Sequence, residues 1–347
     1  MAPRATLATV ARHAKVSLAT ASKVLNGRDG VSEETRRRVQ EAMIALGYRP
    51  TTARADDPCA AVRRVNVIFR ELDSTMYGAQ VLNAMLVAAA EFRMELIPRL
   101  LDQPVSTERV DAWARMLLGG GAQGAIIVAA DLSAAQVVAC WRIGLPIVAI
   151  DSYTPPDVAD FVSVGSNNFA GGYSAATHLL SLGHRRLGLI RGPEGASFAR
   201  ERAFGFLAAL TEAEVSIPDS LIIVEPFDYD GGVRAGRVML DRPERPTAIA
   251  ANCDASAIGV MEAARQLDLR VPADLSVIGF DDTKLAQWST PQLTTVSQEL
   301  RDIARVALRM MGRMLDGQEP DSPHVQLATK LIVRGSTAAL VPGVSHP

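Results

Sequence analysis

The sequence predicts an α/β protein: a small helix-turn-helix head joined to a two-lobed body built on parallel sheets. Three observations predict it. Residues 1–50 show helical periodicity only. From residue 65, apolar strand-like runs alternate with helical stretches. Charge divides along the same line. Residues 1–55 carry ten Lys/Arg against four Asp/Glu, a net +6, which leaves 26 against 34, a net −8, for the rest. A basic head on an acidic body is the electrostatic footprint of a phosphate-binding module.

In the head, Leu7, Val10, Ala11 and Ala14 recur at helical spacing, and His13 to Val16 leaves room only for a turn. Ser17 is suited to cap the next helix, because its hydroxyl can accept from a free backbone N–H. Ala21, Val24 and Leu25 give that helix an inward face; Leu18, Ala19, Ser22, Lys23 and Asn26 lie outward, and Gly27 ends it. Two short helices with so short a connection read as a helix-turn-helix, whose second helix lies in a DNA major groove. A third helix starts at Ser32, with Glu33 and Glu34 favoured by its dipole, repeats Val39, Ala42, Met43 and Leu46, and stops at Gly47 before Pro50.

In the body, strands are expected at 65–69, 94–98, 124–130, 146–151 and 161–165, separated by helices near 77–92, 107–118 and 134–143. A second series follows residue 166, with strands at 185–192, 221–225, 247–252 and 276–280 and helices at 170–182, 199–212, 232–240 and 255–267. Such continuous apolar strands imply parallel sheets covered on both faces. Two sets imply two lobes, with a ligand cleft between strand carboxyl ends. A long helix at 296–315 and a last strand at 325–335 close the chain.

At 347 residues and 48% hydrophobic content the chain can bury two or three cores. The N-terminus has no uninterrupted apolar stretch, and no run reaches membrane-span length, so a cytoplasmic protein is expected. Cys59, Cys140 and Cys253 are odd in number and far apart, and the five histidines include no close pair, so neither disulfides nor a metal site is expected. Gly119 to Gly124 matches G-x-G-x-x-G, but it follows a helix and precedes a strand, the reverse of a dinucleotide fingerprint. No nucleotide P-loop or nucleophile elbow occurs. No enzyme and no cofactor are expected. Arg36-Arg37-Arg38 reads as a solvated basic face.

The head, with VA, VS, T-x-S-K-V-L-N, VS-x-x-T-R and LGY-x-P, resembles the DNA-binding head of the lactose repressor/purine repressor (LacI) family. The resemblance continues through GG-x-x-A-x-x-HLL-x-LGHRR (171–186), PTAI (246–249), D-x-x-A-x-G (254–259), VPADLSVIGFDD (271–282) and P-x-LTTV-x-Q (291–298). It implies domains at 1–50 (DNA binding), 51–64 (hinge linker) and 65–347 (effector binding and dimerisation). Within the body it implies lobe 1 from 65–165 and 296–324, and lobe 2 from 166–295 and 325–347. The final strand would then belong to lobe 2.

It further implies a transcriptional regulator, a repressor, whose operator affinity is set by a small effector. Phosphate contacts are expected from Thr6, Ser17, Thr20, Ser22, Asn26 and Ser32. Base contacts are expected from Leu18, Ala19 and Lys23; only Lys23 can donate to guanine. Lys15 stands where relatives often have Gly, and would be strained there at positive φ. Relatives often form a hinge helix that wedges a Leu into the minor groove. This chain keeps Ala53-Arg54 of that pattern, with Arg54 a DNA contact, but has Asp56-Asp57-Pro58 where the wedge should be, so a weak or absent wedge is expected. The thin base readout and acidic linker keep open an alternative, an effector-binding protein with weak or lost operator binding.

For the effector, the resemblance implies contacts from Asp151, Arg202, Phe227, Asn252, Cys253 and Asp281. Acidic and arginine side chains at a cleft suit a sugar or sugar derivative, with a nucleoside or purine as the alternative. One head reads little sequence, so a homodimer on a palindromic operator is expected. The tail after 335 lacks heptads, which favours a dimer over a tetramer.

Overall fold

The structure is a computed structural model that describes residues 7–25, 30–45, 62–70, 76–100, 109–152 and 154–340. Thr6, Asn26, Arg54 and the linker with Asp56, Asp57 and Pro58 lie outside the described residues. The chain divides into two compact units, Met1–Ala61 with Arg313–Glu319 and Val62–Gly312 with Pro320–Pro347.

The head holds helices α1 (Leu7–His13), α2 (Leu18–Leu25) and α3 (Glu33–Ala45). The side chains that recur at helical spacing make its core: Val10, Ala11, Ala14, Ala21, Val24, Val39 and Ala42 are buried, with Leu7, Val16 and Met43 packed against them. Ser17 accepts from the Thr20 amide at 3.1 Å and Ser32 from the Thr35 amide at 3.3 Å, which fixes where α2 and α3 begin. Lys15, in the turn, has φ 54°. A lysine without glycine's freedom is held there at a cost of about 1–3 kcal/mol.

The body holds two six-stranded sheets. Sheet 1 is built from β1 (Arg63–Phe69), β2 (Met94–Leu100), β3 (Gly124–Val128), β4 (Ile147–Ile150), β5 (Ser163–Ser166) and β11 (His324–Leu327), in the order β11-β5-β4-β3-β1-β2. Sheet 2 is built from β6 (Leu187–Arg191), β7 (Ile222–Val224), β8 (Ala248–Ala250), β9 (Ser276–Asp281), β10 (Thr294–Ser297) and β12 (Lys330–Ile332), in the order β12-β10-β9-β8-β6-β7. All pairings are parallel except β10 with β12.

Two expectations are corrected. The last strand does not belong whole to lobe 2: His324–Leu327 pairs with β5 in sheet 1, and only Lys330–Ile332 pairs with β10 in sheet 2. The helix expected from 296 starts at Leu300, because Thr294–Ser297 is consumed as β10 alongside β9. Thr294, Thr295 and Val296 are β-branched, and sheet pairing overrides the helical pattern that follows them.

The crossover helices of lobe 1 are α4 (Tyr77–Ala89), α5 (Val110–Met116) and α6 (Ala134–Arg142). Those of lobe 2 are α7 (Asn168–Ser181), α8 (Ser197–Glu212), α9 (Tyr229–Leu240) and α10 (Asp254–Gln266), with the short α11 (Lys284–Trp288) between β9 and β10. Helix α12 (Leu300–Leu315) buries Ile303, Leu308, Met310 and Met311, each contributing about 1.5–3 kcal/mol on leaving water. Helices α7 and α8 cross at backbone distance: a Cβ on Gly172 would lie 1.9 Å from the Arg202 carbonyl oxygen, and one on Gly205 1.9 Å from that of Phe169. No helix among the described residues is long and apolar enough to cross a membrane.

Candidate functional site

The head presents one polar face. Ser17, Leu18, Ala19 and Lys23 are exposed on and just before α2, Thr20 and Ser22 are half-buried, and Ser32 is exposed before α3. Leu18 is 54% exposed. Arg37 pairs with Glu41 at 3.8 Å with both side chains mostly exposed, a contact worth little in water.

The body has a cavity between its lobes. Lobe 1 lines it with Phe69 and Arg70 at the end of β1, Tyr77 and Gly78 at the start of α4, Val128 and Ala129 at the end of β3, and Asp151 after β4. Lobe 2 lines it with Phe198 and Arg202 of α8, Phe227 beyond β7, and Asp281 at the end of β9. These are strand carboxyl ends, where parallel α/β sheets place ligands. Three of the lining residues, Ala129 (φ 46°), Asp151 (φ 46°) and Asp281 (φ 108°), hold left-handed backbone without being glycine. Strain of about 1–3 kcal/mol each is characteristic of pre-organised sites.

Arg202 is the hub. Its Nε donates to Asn168 Oδ1 at 2.9 Å and its Nη1 to the Asn252 carbonyl at 2.9 Å, while Nη1 lies 3.3 Å from Asp281 Oδ1. The guanidinium stacks on the Phe280 ring at 3.8 Å from its centroid. Gln298 Nε2 donates to the same Asp281 oxygen at 2.5 Å. Burial raises the Asp281 carboxyl to about 6, against the opposing pull of Arg202 and Gln298. Across the cavity the Tyr77 hydroxyl donates to Asp151 Oδ2. Burial raises the Asp151 carboxyl, and burial with the Asp151 charge raises the Tyr77 phenol well above its ordinary value. Phe227 stacks on Phe198 with ring centroids 5.4 Å apart, forming an apolar wall.

At the rim, Ser197 Oγ donates to the Ser152 carbonyl and Thr154 Oγ1 to the Gly195 carbonyl, both at 3.1 Å. These two bonds join the lobes directly.

Of the six expected effector residues, the cavity gathers Asp151, Arg202, Phe227 and Asp281. Asn252 and Cys253 do not line it. The Asn252 side chain donates to the Glu225 carbonyl at 3.1 Å, and its own carbonyl holds Arg202. The Cys253 thiol caps α10, accepting from the Ser256 amide at 3.5 Å, and burial pushes it up to about 12. Both therefore shape the wall from behind. Sequence reasoning missed Tyr77, Phe198, Asn168 and Gln298. Gln298 ends the P-x-LTTV-x-Q run, and Tyr77 opens the first helix after β1, so position after a strand was the available signal.

A helix-turn-helix head and a two-lobed body whose cavity is lined by charged and aromatic side chains define a class: ligand-responsive DNA-binding regulators. Residues 6–51 match bacterial regulatory proteins, lacI family, and residues 176–337 match the periplasmic binding protein-like domain. Catabolite control protein A of Priestia megaterium is 31% identical over 334 residues, covering 96% of this chain and 99% of that protein. Among solved structures, a complex of the transcriptional regulator CelR with cellobiose is 28% identical with TM-score 0.69, covering 96% of this chain and 100% of that one. A lac repressor dimer bound to operator and an anti-inducer is 26% identical with TM-score 0.69, covering 97% and 100%. The chain belongs to the LacI family of bacterial regulatory proteins and is a DNA-binding transcriptional regulator.

Proposed function

We propose that this regulator is a cytoplasmic homodimeric repressor that binds an inverted-repeat operator and is switched by a neutral, hydroxyl-rich effector, a sugar or sugar derivative. The observation that carries the effector reading is the convergence on one cavity of Asp151 from lobe 1 with Arg202 and Asp281 from lobe 2. Carboxylates accept from hydroxyls, a guanidinium donates to ring and hydroxyl oxygens, and the stacked Phe198–Phe227 wall covers an apolar ring face. The cellobiose complex of a structural neighbour agrees with that chemistry. The domain division at 1–50, 51–64 and 65–347 serves it: the head reads DNA, the linker transmits, the body senses.

On DNA, Ser17, Thr20, Ser22 and Ser32 would position the head on phosphates, Lys23 would donate to a guanine edge, and Leu18 and Ala19 would pack on methyl groups. The exposed apolar Leu86 and Val87 of α4 and Leu100 of the edge strand β2 offer a surface for a second copy. An effector that joins the two lobes favours one lobe arrangement over another, and a differential affinity of about 1–3 kcal/mol changes operator affinity about 5–150-fold. The test is a differential scanning screen of the purified protein against cellobiose, other sugars and nucleosides, followed by operator titration with each hit. A hit that stabilises the body and changes operator affinity is expected; hits that leave operator affinity unchanged would overturn the reading.

A further inference from the structure

Asp254, the first residue of α10, is 0% exposed and makes no ion pair among the described residues. A buried carboxylate without a cation is expensive unless donors surround it. Here there are three. The Thr283 amide donates to Oδ2 at 2.6 Å, the Thr283 hydroxyl to the same oxygen at 2.9 Å, and the Thr295 hydroxyl to Oδ1 at 2.5 Å. The Thr295 oxygen in turn accepts from the Asp282 amide at 3.4 Å. Gly279 on β9 makes the room: a Cβ there would lie 2.6 Å from Asp254 Oδ1.

These bonds fall on one segment. Asp281 and Asp282 have φ 108° and 52°, so two successive aspartates hold backbone that L-residues avoid. Left alone, the segment would relax and carry the Asp281 carboxylate away from Arg202 and Gln298. Asp254 ties down the residue after the strained pair directly, and the Asp282 amide through Thr295. Arg334 ties the far side, with Nη2 2.5 Å from Asp282 Oδ1.

We propose that Asp254 is a positioning residue of the effector site: it holds the Asp281–Thr283 turn in its left-handed course, and so sets where the Asp281 carboxylate stands. The role rests on Asp281 being an effector contact, but its test needs no effector. Asp254→Asn keeps the shape and one acceptor oxygen for the Thr283 donors; Asp254→Ala keeps neither.

Hydrogen–deuterium exchange of the full-length protein tests it, comparing wild type, Asp254→Ala and Asp254→Asn over the 281–288 segment and over α7 and β6. Asp254→Ala, which removes the acceptors of all three bonds, is expected to speed exchange in 281–288 by at least about tenfold, with α7 and β6 unchanged and Asp254→Asn restoring most of the protection. Unchanged protection in Asp254→Ala would overturn the proposal. So would a loss spread evenly through α7 and β6, which is what a merely structural core residue gives. Failure of the effector reading itself shows separately, as an effector response that survives Asp281→Ala.

Discussion

Arg202 of α8 and Asp281 of β9 form a buried pair facing the cavity, with Nη1 3.3 Å from Oδ1 and side chains 9% and 5% exposed. Each is held from behind as well, Arg202 by Asn168 and the Asn252 carbonyl, Asp281 by Gln298. The charges are therefore pre-set before any ligand arrives, which lowers the ordering cost of binding.

Asp281→Ala is expected to abolish the effector response while operator binding survives, because the head folds on its own core. It also leaves Arg202 buried without its carboxylate, at a cost of up to about 3–5 kcal/mol in body stability. Operator titration with and without a screened effector, alongside urea unfolding, reads both effects. Loss of DNA binding with the effector response retained would contradict the assignment.

On the head, Lys23→Ala removes the side chain proposed to donate to a guanine edge from α2. A fall in operator affinity of about 1–3 kcal/mol is expected, confined to operators carrying guanine at one position in each half-site. Anisotropy titrations against a set of single-base operator variants check this. An equal loss on every variant would reassign Lys23 to phosphate.

Gly192 seats the Phe227 ring: a Cβ there would come within 2.5 Å of it and 2.7 Å of Ala199. Gly192→Ala is expected to push the ring into the cavity and weaken effector binding more than tenfold, the scale of a misplaced wall of about 1.4 kcal/mol or more. Isothermal titration with a screened effector measures it, and unchanged affinity would remove Phe227 from the contact set.

Asp254 and Asp281 are raised from 3.8 to about 8 and about 6, by burial first in each case. A carboxyl whose folded value is raised holds a proton that the unfolded chain has released, so the native state binds more protons between these values. Stability from these groups is present at low pH and falls as pH rises from about 4 to about 8. His178 and His184, lowered by burial, act in the opposite sense at the acid end. The difference in unfolding free energy between wild type and Asp254→Asn reports the Asp254 carboxyl together with its interaction with Asp281. That difference is expected to shift against the wild type between pH 5 and 8; a pH-independent difference would contradict it.

Much of the fold was legible because local and global signals agree. The apolar positions of α1 and α2 reappear as the head core, and Ser17 and Ser32 cap the helices they precede. Lys15 sits at positive φ where its displacement of a glycine suggested strain. What escaped was set by pairing between distant segments. Residues 296–315 read as one helix until β9 draws Thr294–Ser297 into its sheet, and 325–335 reads as one strand until His324–Leu327 and Lys330–Ile332 pair in different sheets. Of the residues that line the cavity, Asp151 and Asp281 were legible from position after a strand and Arg202 from a motif, while Phe227 came from the family resemblance. Cys253 was not, because whether a side chain at a helix start faces the cavity or caps its own helix depends on one rotamer.

Whether the head reads a two-fold symmetric DNA sequence under control of the body is decided by selecting duplexes from a random pool on the purified full-length protein, then titrating the selected and scrambled sequences at fixed salt with and without a screened effector. The account predicts recovery of an inverted repeat bound at least about 10³-fold more tightly than scrambled duplex, with that ratio changed by the effector. Recovery of no shared sequence, with equal affinity for selected and scrambled duplexes at every effector concentration, would contradict it.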